Sequence, residues 1–144
     1  RIDPDELREE LPGYSGGKTQ ERVLQGPKDE FKYSPAYNSP ERGISFHVTA
    51  YDTQTFLLQL SAGRDQLLQP GVYEEATRFP FNVNNPGIEF SAGGGYNKIR
   101  GKFIIHEISW GPDKTLTSCA ADFLQAGSGG PWTYGKIRYY SPYK

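Results

Sequence analysis

Methionine is absent from all 144 residues, position 1 included, so a mature form or an excised domain is expected rather than a primary translation product. The single cysteine, Cys119, excludes an internal disulfide and a cysteine-built metal centre. Within the run CAADF it reads as a small buried hydrophobe and not as a reactive thiol. A lone buried thiol leaves the redox compartment open. Neither charge sign is in surplus: 16 Lys and Arg against 17 Asp and Glu give a formal net charge of −1. That leaves no electrostatic footprint for nucleic acid or for an anionic membrane surface. No apolar run approaches the roughly 20 residues of a spanning helix, so no membrane insertion is expected. Only His47 and His106 are available as conventional bases, which leaves few ways to assemble a hydrolytic triad.

What the chain does have is turn residues and rings. It carries 17 glycines, 11 prolines and 14% aromatic residues, the profile of a turn-rich β domain, and its length suits one core. The opening DPDELREELPG has helix grammar: Asp3 as cap, Pro4 in the first turn, Glu6 three residues after the cap, and Pro12-Gly13 as the stop. A short helix followed by the flexible joint GYSGG therefore makes up residues 1–17, and a single β domain makes up residues 18–144. Beyond that joint, β-branched and aromatic runs recur between turn clusters. Strands are expected near 19–25, 30–34, 43–50, 55–61, 71–77, 87–92, 98–109, 115–124 and 133–140. The fold expected from them is an all-β antiparallel sandwich of eight or nine strands, with a partly closed barrel as the alternative.

Alternation places Ile44, Phe46 and Val48 on one side of their strand and His47 on the other. In KIRGKFIIHEISW the apolar phase moves from Ile99, Gly101, Phe103 and Ile105 to Ile104, Ile108 and Trp110, a slip that signals a bulge or a change of partner. Pro112-Asp113 in WGPDKT reads as the turn of a hairpin. In the strand after it, Cys119, Ala121 and Phe123 form the inward set.

Residues 43–142 resemble a group of small bacterial exported domains of unassigned function. The motifs that carry the resemblance are the Pro-Gly-x-Tyr turn of PGVYEEATRFPF, the glycine-rich SAGGGYN, the GKF strand with its Gly-Pro hairpin, the AADF strand and the closing GKIRYY. The group's usual pair of cysteines has no counterpart here. The resemblance implies an all-β domain of a secreted or cell-envelope protein, and it supplies no activity and no site residues.

Each candidate for chemistry has a plainer reading beside it. His106 adjoins Glu107, but neighbours in a regular strand face opposite ways and make no dyad. Asp122 stands alone between Ala121 and Phe123; alternation puts it on the solvent face, and the other reading pairs it with Arg78 or Arg138. Glu74 and Glu75 are consecutive, whereas a glycosidase needs two carboxylates facing across a cleft. SAGGGYN has the glycines of a phosphate loop without its lysine, and NVNNPG and YDTQT lack a spaced acidic calcium loop. No catalytic residue, metal site or cofactor is therefore assigned. Aromatics crowd the last third, and Trp110, Trp132, Tyr134 and Tyr139 either pack the core and sheet edges or form a platform on which a sugar stacks. The function expected is a non-enzymatic binding or accessory domain with a glycan or protein ligand, carbohydrate being the first candidate. A small hydrolase and a protein-partner scaffold are the alternatives.

Overall fold

The computed structural model describes residues 20–25, 30–35, 40–49, 55–91, 98–127 and 132–143. The expected N-terminal helix and joint lie outside the described residues. Nine described strands follow in order: β1 (Gln20–Gln25), β2 (Glu30–Pro35), β3 (Gly43–Thr49), β4 (Thr55–Ser61), β5 (Gly71–Arg78), β6 (Gly87–Ser91), β7 (Ile99–Trp110), β8 (Leu116–Gly127) and β9 (Trp132–Tyr139). One 3-10 turn, Pro40–Arg42, precedes β3. All nine fall where the alternating runs place them, within a few residues at each end.

The protein is all-β, but its strands join in a single hydrogen-bonded sheet ordered β1-β9-β8-β7-β5-β6-β4-β3-β2. This corrects the expected sandwich of two sheets, and the partly closed barrel is the nearer description. The sheet curls into a half-barrel: Tyr139, near one end of the strand order, lies 5.1 Å from the Phe46 ring and 6.2 Å from the Tyr33 ring at the other end. Two pairings are also parallel, β1 with β9 and β5 with β6, so the sheet is mixed and not purely antiparallel. Alternation fixes which residues face a neighbour sheet, but it does not say whether that neighbour is a second sheet or the same one curled over.

The concave side holds the main core. Ile44, Phe46, Val48, Leu58, Phe103 and Phe123 are among its buried members, and His47 is exposed on the other face of β3, as alternation requires. Cys119, Ala121 and Phe123 point inward from β8 as expected. Gly135 is opposite Phe123 in the ladder, and a Cβ there would sit 2.7 and 2.9 Å from two atoms of the Phe123 ring. The ring therefore lies over the bare glycine backbone, and the sequence needs glycine at that position.

The phase slip in β7 is a bulge. Ile105 pairs with Ala121, but Glu107 pairs with Ala120, the next residue back along β8. His106 is the extra residue between them. The bulge lets Ile108 and Trp110 rejoin the concave core. It also turns His106 and Glu107 to the same, convex face, which corrects the expectation that these neighbours point apart. The β7–β8 hairpin closes at 111–115 as expected: the Lys114 amide donates to Gly111 O at 2.9 Å and the Gly111 amide to Thr115 O at 2.8 Å.

Candidate functional site

The four rings singled out as a platform separate onto two faces. Tyr139 and Trp110 pack against the concave core. Trp132 and Tyr134 lie two apart on the other face of β9, where with Ile104, Leu124 and Ala126 they form a second buried cluster. Tyr134 is fully buried and Trp132 is 7% exposed, with the Arg100 guanidinium 4.8 Å from the Trp132 ring. Trp132 and Tyr134 are therefore packing residues, while Trp110 and Tyr139 are partly buried against the concave core. The exposed ring at this end is Tyr140, which is 79% exposed and has its backbone in the left-handed region at φ 47°.

Beside the second cluster the convex face carries a buried ionic group. Asp122 faces away from the concave core, but it is only 4% exposed, which corrects the solvent-face expectation. Of its two candidate cations it takes Arg138: Oδ1 is 2.9 Å from Nη1, and Oδ2 is 3.0 Å from His106 Nε2. The Arg138 contact is a close ion pair and the His106 contact a close polar approach, and neither meets hydrogen-bond alignment. The Tyr134 hydroxyl donates to the same Oδ2 at 3.2 Å. Burial alone would raise the Asp122 pKa, but the His106 and Arg138 contacts together outweigh it and hold the carboxyl below its ordinary value. Arg138 is itself fixed, donating from Nη1 to Ala121 O and Ile137 O. Tyr143 closes over the group, stacked on the His106 ring at 4.3 Å and 11°.

Chemically this is a compact polar network centred on a paired carboxylate. A carboxylate clamped by a guanidinium is a poor base, and the imidazole has an aromatic ring across its face. The two carboxylates that the bulge brings near His106 are both engaged, Asp122 as above and Glu107 as acceptor from the Ser141 hydroxyl. Glu74 makes a 3.0 Å ion pair with Lys102, whose side chain is 1% exposed, so Glu74 and Glu75 do not form a facing acid pair. Burial pushes the Cys119 thiol up to about 12, which makes it inert at neutral pH. No trio of His, Cys, Asp or Glu among the described residues is arranged to hold a metal. Most of SAGGGYN lies outside the described residues.

No family model, curated protein or solved structure matches this chain.

Among the described residues, exposed apolar side chains also stand on the β5–β6 connection, residues 79–86, which was weighed from sequence only for calcium. Phe79 and Asn82 are buried at 5% each, whereas Phe81 is 69% and Val83 56% exposed. The loop is held at many points. Phe81 N donates to Arg78 O at 2.8 Å, Asn85 N to Asn82 O at 2.9 Å and Thr77 N to Pro86 O at 2.9 Å. The Asn82 amide donates to Asn85 O at 2.8 Å and to Ser61 Oγ at 3.3 Å, and the Asn85 amide donates to Glu75 O at 3.1 Å. Val83 sits at φ 48°, a conformation that β-branched residues avoid and that costs about 1–3 kcal/mol. The preceding turn packs alongside, since a Cβ on Gly63 would stand 2.8 Å from Asn84 O. Leu67 and Val72, farther along the same connection and at the start of β5, are 44% and 48% exposed. One signal in the sequence could have found this loop: FPFNVNNPG sets Phe81 and Val83 among Asn, Pro and Gly, where no regular strand can bury them.

Proposed function

We propose that this chain is a non-enzymatic binding module of an exported protein, and that it engages a protein partner through the apolar tip of residues 79–86. The observation that carries the reading is the pairing of exposure with rigidity. Phe81 and Val83 stand in solvent on a loop whose backbone is tied at both ends. A preorganised aromatic anchor loses little freedom when it enters a pocket. The Arg78 guanidinium lies 5.1 Å from the Phe81 ring, so the complementary surface is an apolar pocket with a polar rim. A protein ligand is preferred to carbohydrate because Trp132 and Tyr134, two of the four candidate stacking rings, are buried. The secreted or cell-envelope location is supported by the resemblance of residues 43–142 and by nothing in the geometry.

A photo-crosslinking residue at position 81, compared with one at the exposed His47 position, tests the reading in cell-envelope extracts of the source organism. A saturable protein partner captured from position 81 alone, with affinity reduced about thirtyfold or more by Phe81→Ser, is the expected result. Partner binding that survives Phe81→Ser in a folded protein overturns it. Retention on a glycan array that depends on Tyr140 would replace it with the carbohydrate reading.

A further inference from the structure

The residues after β9 behave as a ligand bound to the sheet. The chain turns at Tyr140, with φ 47°, and lays Ser141–Tyr143 over the convex face. The sheet reads three features of that tripeptide. Glu107 Oε1 accepts a hydrogen bond from the Ser141 hydroxyl. Arg138 Nε donates to Tyr143 O at 3.0 Å. The Tyr143 ring stacks on His106 with the Arg138 guanidinium 5.3 Å from its centre. Within the segment, Tyr143 N donates to Ser141 Oγ at 3.2 Å, which sets the spacing between hydroxyl and ring. Pro142, between them, is exposed and leaves the middle position unread.

His106 and Arg138 are also held by contacts outside the segment. Asp122 fixes His106 from below, and Asp122 with two backbone carbonyls fixes Arg138. The β7 bulge turns His106 and Glu107 to the same side. We propose that the groove formed by His106, Glu107 and Arg138 is a recognition site for an extended Ser-x-Tyr peptide segment, occupied in cis by Ser141–Tyr143 and open to the same sequence in trans. The occupant is specified by the contacts: a hydroxyl donor, an unread residue, then a residue whose aromatic ring stacks on an imidazole and whose backbone carbonyl accepts from a guanidinium. A cis occupant on a short tether has an effective concentration of order millimolar, so a competing segment gains access once the local one is displaced. This site is separate from the 79–86 loop and does not depend on the function proposed for it.

The test uses the full-length chain carrying Ser141→Ala with Tyr143→Ala, which vacates the groove, titrated with acetyl-Ser-Pro-Tyr-Lys-amide and followed by NMR. The expected result is saturable binding at least about tenfold tighter than to the wild type, abolished when the peptide's Ser or Tyr is replaced by Ala. A folded double variant that shows no saturation up to about 10 mM peptide, or binds it less than about tenfold tighter than the wild type, overturns the proposal. If the double variant does not fold, the wild type answers instead. Its stacked Tyr143 ring signals should move to unstacked positions as peptide is added, and no movement at the same concentration is the refuting result. Concentration-dependent dimerisation of the wild type that the peptide reverses would identify a second copy of this chain as the source of the segment. A monomer that still binds the peptide would place the source in another protein.

Discussion

Asp122→Ala removes the acceptor shared by Arg138, His106 and Tyr134 while leaving the cation in place. At 2.9 Å from Nη1 and 3.0 Å from the imidazole, the carboxylate is the counter-charge of a guanidinium whose side chain is 4% exposed. Breaking a buried pair on one side costs about 3–5 kcal/mol, because the remaining charge keeps its desolvation penalty. Domains of this size have about 5–15 kcal/mol in all, so most of that range leaves the variant folded, with a thermal midpoint lowered by roughly 10–17 °C. Adding Arg138→Met to Asp122→Ala should recover a large part of the loss, since an apolar pair of similar volume avoids the unpaired charge. Urea unfolding followed by tryptophan fluorescence measures both. The pH dependence has a definite sign. The carboxyl is depressed in the folded state, so its stabilisation is present above the ordinary aspartate range and is lost as pH falls below about 4 through the folded value. The Asp122→Asn protein should have a flatter acid limb. A loss below about 1 kcal/mol for Asp122→Ala, or an unchanged acid limb for Asp122→Asn, would refute the reading of this network as a structural charge pair.

Gly135→Ala drives a Cβ into the Phe123 ring, which is fully buried and packed 4.9 Å from Phe90; chemical denaturation should show a loss of about 1–3 kcal/mol. Lys114 occupies the left-handed position of the β7–β8 turn at φ 63°, and its ion pair with Glu41 is long at 3.6 Å and exposed. Lys114→Gly should therefore raise stability by about 0.5–1 kcal/mol in the same assay. Cys119, fully buried with its thiol pushed up to about 12, should react with a thiol reagent no faster than the protein opens. Labelling that outpaces core amide exchange would show that the site is more accessible than its packing implies.

Strand positions were legible because each β run carries its own alternation and its own turn residues. The pairing of strands was not, because β1 joins β9 in parallel through a contact more than a hundred residues apart that no local pattern encodes. The phase change between Ile105 and Ile108 announced the β7 bulge, but the facing of His106 and Glu107 follows only once the bulge is located at His106. Asp122 was noticed for being alone among apolar neighbours. Its choice of Arg138 depends on the β8–β9 register, which sets Asp122 opposite Lys136 and Arg138 opposite Ala120, a diagonal step away. The aromatic residues failed as a functional signal for a related reason: with two buried faces, β9 hides Tyr134 on one side and Ile137 on the other, so ring content alone did not mark a surface.

Strain at Val83 offers a test of whether the 79–86 loop is shaped for a partner or is an incidental turn. A β-branched residue at φ 48° that is 56% exposed has little packing to offset its strain. Val83→Gly removes the steric conflict but frees the unfolded chain, and these effects oppose one another at about 1 kcal/mol each. Val83→Asn relieves the conflict with a smaller entropic penalty, so it should stabilise the isolated domain by about 0.5–1 kcal/mol in urea titration. If Val83 is an anchor, the same substitution should weaken the partner captured at position 81 while Phe81 and the loop hydrogen bonds remain. Greater stability with undiminished partner affinity would show that the exposed valine is not part of the contact, and would leave Phe81 as the anchor to be explained alone.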